Sequence, residues 1–482
     1  MEINSETYNL KNEIETVRED CLRPTRKWGR TTLIWIGCLL IVISWGLYCY
    51  IHQLRAGLGV TAMRNYVSWG LYISTFVFFI GISHSGTLVS AILRITKQEW
   101  RRPITRSAEL LTFVSLLFGG IMPIIDLGRP DRILNLATYG RIQSPLMWDI
   151  VSICTYFVGS SVFLFLPMIP DMALCRDRLT VCDSRFKRFK KKLYTFMAIG
   201  WKGTKSQWHR LEKSMTIMTI IIIPVAVSVH TVVSYIFAMT LRPGWNSTVF
   251  GPYFVAGALY SGSAGVIIGM WVFRKLYHLE KYITRRHFDL MGRIVLALTL
   301  IYAYLNLNEY WIPAYKMATA EGHLLSDLFS GSYSTVFWIL QFGTVLLPII
   351  ILSFPKGRRP LMILITCITI VAGAWVKRYI IVVPTLLHPF MPIQEVPGDW
   401  SSYFPNYVEI SITAACLAGI FLVITLFSKF FPMMAVWEVE EGIHIEHDKN
   451  VAIEIRTKRE AEEALLIRNQ IQKDIEPKIQ PA

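Results

Sequence analysis

The sequence predicts an all-α integral membrane protein with about ten transmembrane helices, and three observations predict it. Of the 482 residues, 53% are hydrophobic, and the mean hydropathy is +0.41. Apolar stretches long enough to cross a hydrocarbon core of ~30 Å recur along the whole chain. Lysine and arginine are dense in alternate connecting loops and sparse in the others. In lipid a backbone must satisfy its own hydrogen bonds, so apolar runs of this length fold as helices.

The spans read at about 32–52, 66–93, 107–127, 147–168, 214–241, 252–274, 290–311, 333–354, 361–387 and 406–428. The even-numbered loops (94–106, 170–213, 274–293 and 354–360) hold 26 Lys and Arg, against 7 in the odd-numbered loops. By the positive-inside rule this places both termini in the cytoplasm. The net charge of +15 is therefore a topology signal, not a nucleic-acid signal. The run "RFKRFKKK" (185–192) is expected to lie on anionic lipid.

Residues 1–31 read as a cytoplasmic arm with some helical character and no cleavable signal peptide. Residues 32–431 form the membrane domain, expected as two four-helix bundles, about 66–241 and 252–387, plus two extra helices. The basic cytoplasmic loop 170–213 is the longest inner loop. The tail, 432–482, carries a charged amphipathic helix over 457–474. The outward loops (242–254, 310–329 and 386–407) are rich in aromatics, Pro and Gly, as a surface for docking another protein would be. "HSG" at 84–86 and "YSG" at 260–262 hint at an internal repeat four helices long.

The eight cysteines form no C-x-x-C or C-x-x-C-H element, so covalent haem, zinc-ribbon and usual iron–sulfur spacings are not present. No metal site is expected. Ionisable residues inside spans are expensive and carry a functional hypothesis by default. His84 lies ~15 Å from the inner end of the second span, and His230 ~18 Å from Arg242. Glu109, Asp126, Asp149 and Glu309 sit at span ends, and Lys377 and Arg378 lie about a third of the membrane deep. Glu109 is three residues from Arg106, within pairing distance on a helix. Two mid-membrane histidines suit one bis-histidine haem b or a proton relay. A quinol headgroup would need aromatic walls and proton acceptors. Trp69 and Tyr72 in "NYVSWGLY" and Asp149 in "SPLMWD" offer both at one membrane level. An ion or solute transporter remains an alternative, since Pro224 and Pro384 interrupt two spans.

The segments "WGLYISTFVFFIGISHSGTLVSAILR", "RSAELL", "DLGRPDR", "SPLMWD", "IPDMALCRDR" and "SVHTVVS" resemble the NrfD-like family, the membrane subunits of polysulfide reductase. Within it the resemblance is strongest to the quinol-oxidising subunit (ActC) of alternative complex III. The resemblance covers about 60–430. It implies a multi-pass protein of a bacterial inner membrane with no haem or iron–sulfur cluster of its own. It implies a quinol, menaquinol rather than ubiquinol, bound near the outer side. It also implies a periplasmic iron–sulfur protein that takes the electrons, multihaem cytochrome c subunits beyond it, and a second membrane subunit of the same fold. By the resemblance, His84, Asp149 and His230 are catalytic, and Trp69, Tyr72, Arg129 and Asp126 belong to the quinol pocket. Glu109, His84, Lys377 and Arg378 would lie on a proton path, with proton translocation proposed for such subunits. One departure concerns that path: "VKRY" (376–379) carries Lys377 where the family has an acid.

Overall fold

The computed structural model describes residues 2–26, 28–179, 185–316, 318–391, 393 and 397–475. Cys182, part of the basic loop, residues 394–396 of the last outward loop and the end of the tail lie outside the described residues.

Ten helices among the described residues are long and apolar enough to span a membrane. They are Arg30–Ala56, Leu71–Ile95, Thr105–Asp126, Pro145–Phe165, Lys205–Ala238, Phe250–Leu276, Arg285–Lys316, Ser334–Ser353, Pro360–Leu387 and Tyr407–Phe430. All ten expected spans are present, and the protein is an all-helical integral membrane protein. The second span begins at Leu71 rather than 66. Residues before it form an irregular loop, and Tyr403 Oη caps the helix start by accepting the Leu71 N–H at 2.8 Å.

The chain divides into two units. One comprises residues 1–21 with 436–482, within which Arg18 Nε meets Glu440 Oε1 at 2.6 Å. The other, residues 22–435, contains all ten spans. The expected tail helix at 457–474 falls within one helix, Val436–Ile475.

The second span is central. Almost all of it is buried, and it packs on the third, fifth, sixth and ninth spans. The third packs on the fourth and the fourth on the fifth; the sixth packs on the fifth, seventh and ninth. The first and tenth pair with each other, and the tenth lies on the third. Small residues permit this closeness, since helices in lipid associate through packing rather than hydrophobic exclusion. A methyl group on Gly86 would overlap the Ala108 carbonyl of the third span. One on Gly262 would overlap Ser85 of the second. Ser85 and Ser263 share a hydrogen bond of 2.7 Å across that crossing. The "HSG" and "YSG" elements are thus two sites of close helix contact.

Pro224 and Pro384 do not break their helices, which run continuously through them. The irregular span is the eighth, where Gln341–Leu346 forms a π-helical segment, a feature frequent at functional sites.

Candidate functional site

A cavity of about 620 Å³ lies between the second, third, fourth and fifth spans and the short helix Ile133–Tyr139. Trp69, Phe76, Phe157 and Phe237 supply aromatic walls, and Ile and Leu side chains supply most of the rest. Two charged groups stand among the described lining residues, Asp126 at the end of the third span and Asp149 in the first turns of the fourth. Asp149 is 5% exposed. Asp126 Oδ1 and Asp149 Oδ1 are buried with no hydrogen-bond partner. A buried carboxylate oxygen left without a donor is costly, so each is suited to a ligand that brings a hydroxyl. The wall is stiffened by stacking: Trp69 lies 6.0 Å from Trp245 and 5.7 Å from Phe237, centroid to centroid.

The two histidines are next to each other, 4.6 Å between ring centroids, one aromatic layer away from this cavity. Phe237 of the cavity wall touches Phe254, and Phe254 touches His230. His84 is held between two helices. Nδ1 is 2.7 Å from the Ile80 carbonyl oxygen and Nε2 is 2.7 Å from that of Ala226 in the fifth span. A neutral ring donates to one of these carbonyls and turns its other nitrogen's lone pair toward the second, whereas an imidazolium donates to both. Both His84 nitrogens are thereby engaged, which does not suit axial ligation of a haem. His230 is fully buried, and the backbone of Phe254 is its nearest hydrogen-bonding group.

Tyr156 joins the two levels, and sequence reasoning missed it. It lies seven residues after Asp149 on the same face of the fourth span, ~10 Å further in. Its ring centroid is 4.9 Å from His84 and its hydroxyl donates to Ser83 O at 3.2 Å. Further inward, Ser90 Oγ donates to Glu109 Oε1 at 2.6 Å. Arg106 does not take Glu109 as its partner. It forms a buried ion pair with Asp171, 2.6 Å, and donates to the carbonyls of Pro167 and Met434.

Two other expected pocket residues are placed elsewhere. Tyr72 is buried and donates to Gln53 of the first span at 2.7 Å; it does not line the cavity. Gln53 in turn donates to the Ile125 carbonyl, so Tyr72 ties the first, second and third spans together. Arg129 is exposed and pairs with Asp131 two residues on. Its loop turns at Gly128, whose φ of +64° and closeness to Leu58 favour glycine.

Lys377 and Arg378 belong to a second polar cluster, among the sixth to ninth spans. Lys377 donates to the Tyr310 hydroxyl and stands 4.5 Å from that ring. The Arg378 guanidinium lies 4.6 Å from the Phe254 ring centroid, against the same ring that His230 touches. Tyr253 donates to Asn306 Oδ1 at 3.1 Å, and Asn306 donates to Gln341 of the π-helical segment at 2.7 Å. Tyr260 and Tyr302 stack with Tyr253 in one column.

Residues 59–389 match the model of the family described as polysulphide reductase, NrfD. The chain belongs to that family. Three relatives match over most of their length. A selenate reductase subunit of Mesobacillus selenatarsenatis is 27% identical over 82% of this chain and 92% of that protein. The menaquinone reductase integral membrane subunit of Nitratidesulfovibrio vulgaris is 23% identical over 88% of this chain and 97% of its own. The Hdr-like menaquinol oxidoreductase integral membrane subunit of Archaeoglobus fulgidus is 22% identical over 84% and 94%. The protein is thus an NrfD-type, multi-pass membrane subunit of a quinone-linked oxidoreductase complex.

Proposed function

We propose that this chain binds quinol in the 620 Å³ cavity and oxidises it as the membrane subunit of an alternative complex III-type assembly. The observation that carries this reading is the pair of buried carboxylates, Asp126 and Asp149, facing one apolar cavity with an unpartnered oxygen each. Quinol oxidation releases two electrons and two protons. The aromatic and aliphatic walls suit a quinone ring and its isoprenoid tail, and each carboxylate accepts a proton from a quinol hydroxyl. The electrons leave to an iron–sulfur partner subunit docked over the outer loops, and onward through multihaem cytochrome c subunits. Exposed Phe404 and Tyr139 offer apolar surface there. The charge asymmetry of the loops supports placing both termini in the cytoplasm.

The names of the menaquinone-linked relatives support menaquinol as the substrate. From Asp149, protons pass along the face that carries Tyr156 to the His84–His230 pair, and Thr87, Thr112, Ser90 and Glu109 continue the polar column inward. Imidazole accepts and releases protons near neutral pH, which suits the midpoint of such a column.

The test is photolabelling of the purified complex with an azido-naphthoquinone, followed by peptide mapping. Label is expected on 116–127 and 146–158, with competition by unlabelled menaquinone. Label confined to peptides outside the cavity overturns the assignment. Affinity purification in mild detergent tests the partners: iron–sulfur and multihaem subunits are expected with this chain, and a homo-oligomer alone refutes the complex proposed.

A further inference from the structure

A second cavity, of about 30 Å³, lies beside the seventh and ninth spans and the helix Thr319–Phe329. Its walls include Glu309, Glu321, Tyr310, Thr385 and Trp245. A volume of this size holds one or two water-sized particles. Glu309 is 8% exposed and Glu321 3%, so both are more than nine-tenths buried. Oε2 of each has no hydrogen-bond partner. Two buried carboxylate oxygens facing one small cavity without donors are costly as they stand, and a cation between them removes that cost.

The surrounding charges limit which cation. Lys316 Nζ meets the other oxygen of Glu321, Oε1, at 3.2 Å. Lys377 interacts electrostatically with Glu309 and hydrogen-bonds Tyr310. Lys316 is largely exposed and screened by solvent, so the buried balance is two carboxylates against the Lys377 ammonium, one negative charge that a monovalent ion neutralises and a divalent ion overshoots. The available donors are hard oxygens from carboxylates and hydroxyls, which do not select soft or transition metals. We propose that this cavity binds one small monovalent cation, sodium or hydronium, between Glu309 and Glu321. The site is independent of the quinol reading, because it lies on other residues and its test needs no quinol.

The experiment uses the complex purified in sodium-free buffer, with choline chloride holding ionic strength constant. Retention of ²²Na⁺ and the thermal unfolding temperature are followed against added NaCl. For a sodium site, saturable retention of one ion per chain and a rise in Tm are expected, both lost in E309Q and E321Q. Lys316 is largely exposed, so K316M is expected to fold normally and to lower the half-saturating sodium concentration severalfold. For hydronium, ²²Na⁺ is not retained, and a D₂O-sensitive carboxyl band appears in the infrared spectrum, removed by E309Q and by E321Q. Absence of both signals in the wild-type complex overturns the proposal. So does sodium retention that K316M leaves unchanged.

Discussion

Replacing Asp149 by Asn removes a proton acceptor while keeping the shape of the side chain. The cavity keeps its walls, and the packing of the fourth span against the third and fifth is unchanged, so assembly and cofactor content of the complex should be normal. A positioned general base contributes about 10²–10⁴-fold to rate. At ~1.4 kcal/mol per decade this is ~3–5 kcal/mol of barrier. The structure places the single variant at the lower end, because Asp126 faces the same cavity and still offers an oxygen. D149N should therefore lose roughly 10²-fold in kcat, and the D126N/D149N double variant roughly 10⁴-fold. The assay is steady-state oxidation of a soluble menaquinol analogue by the purified complex, with kcat and KM resolved separately. The loss belongs in kcat, since the walls that hold the ring are intact. Retention of more than half the wild-type kcat in both single variants and in the double variant would refute the proton-acceptor role.

Other perturbations test the scaffold and the relay. Asp171→Ala strands Arg106 as a buried cation and should destabilise the protein by ~3–5 kcal/mol, read as a fall in Tm in detergent; D171N, which keeps an acceptor, should cost less. Gly86→Ala forces a methyl group against the Ala108 carbonyl and should cost ~1–3 kcal/mol, visible in folded yield, whereas alanine at Gly37, which has open space around it, should be silent. His84→Gln should slow turnover while leaving azido-naphthoquinone labelling unchanged, because the ring is one layer removed from the cavity; loss of labelling would place it in the binding wall instead. Burial, reinforced by Asp171 close by, pushes the Cys175 thiol up to about 12, so it stays neutral through the physiological range. Maleimide at pH 8 should leave Cys175 unmodified until the protein is denatured.

The spans are legible in the sequence because a bilayer imposes one rule over twenty consecutive residues, and ten such runs stand out without any knowledge of packing. Their ends are less legible. Residues 66–70 read as apolar enough to extend the second span, yet the helix waits for Leu71 because Tyr403, more than three hundred residues later, takes its first free N–H. Depth along a helix is also legible: counting rise from Arg94 and from Arg242 brings His84 and His230 to a common level, and their rings lie side by side. Direction around a helix is not. Tyr72 shares the outer mouth of the second span with Trp69, but Trp69 lies in the irregular loop before the helix begins at Leu71, so helical spacing does not set its direction: Tyr72 points to Gln53 while Trp69 faces the cavity. Arg106 and Glu109 have the spacing of a helical ion pair, and the nearer-in-sequence partner loses to Asp171, in a site where the carbonyls of Pro167, Pro432 and Met434 also accept from Arg106.

The division of labour among the buried groups follows from the same geometry. Asp126 and Asp149, each at a span end, line the apolar cavity. The His84–His230 pair, at mid-depth and packed against Phe254 and Tyr156, is not among the described residues that line that cavity. Trp69 forms one wall of that cavity and stacks on Trp245, which forms a wall of the small Glu309–Glu321 cavity and is itself anchored to the Ile381 carbonyl at 2.8 Å. Two sites that share no residue therefore share a wall two indoles thick.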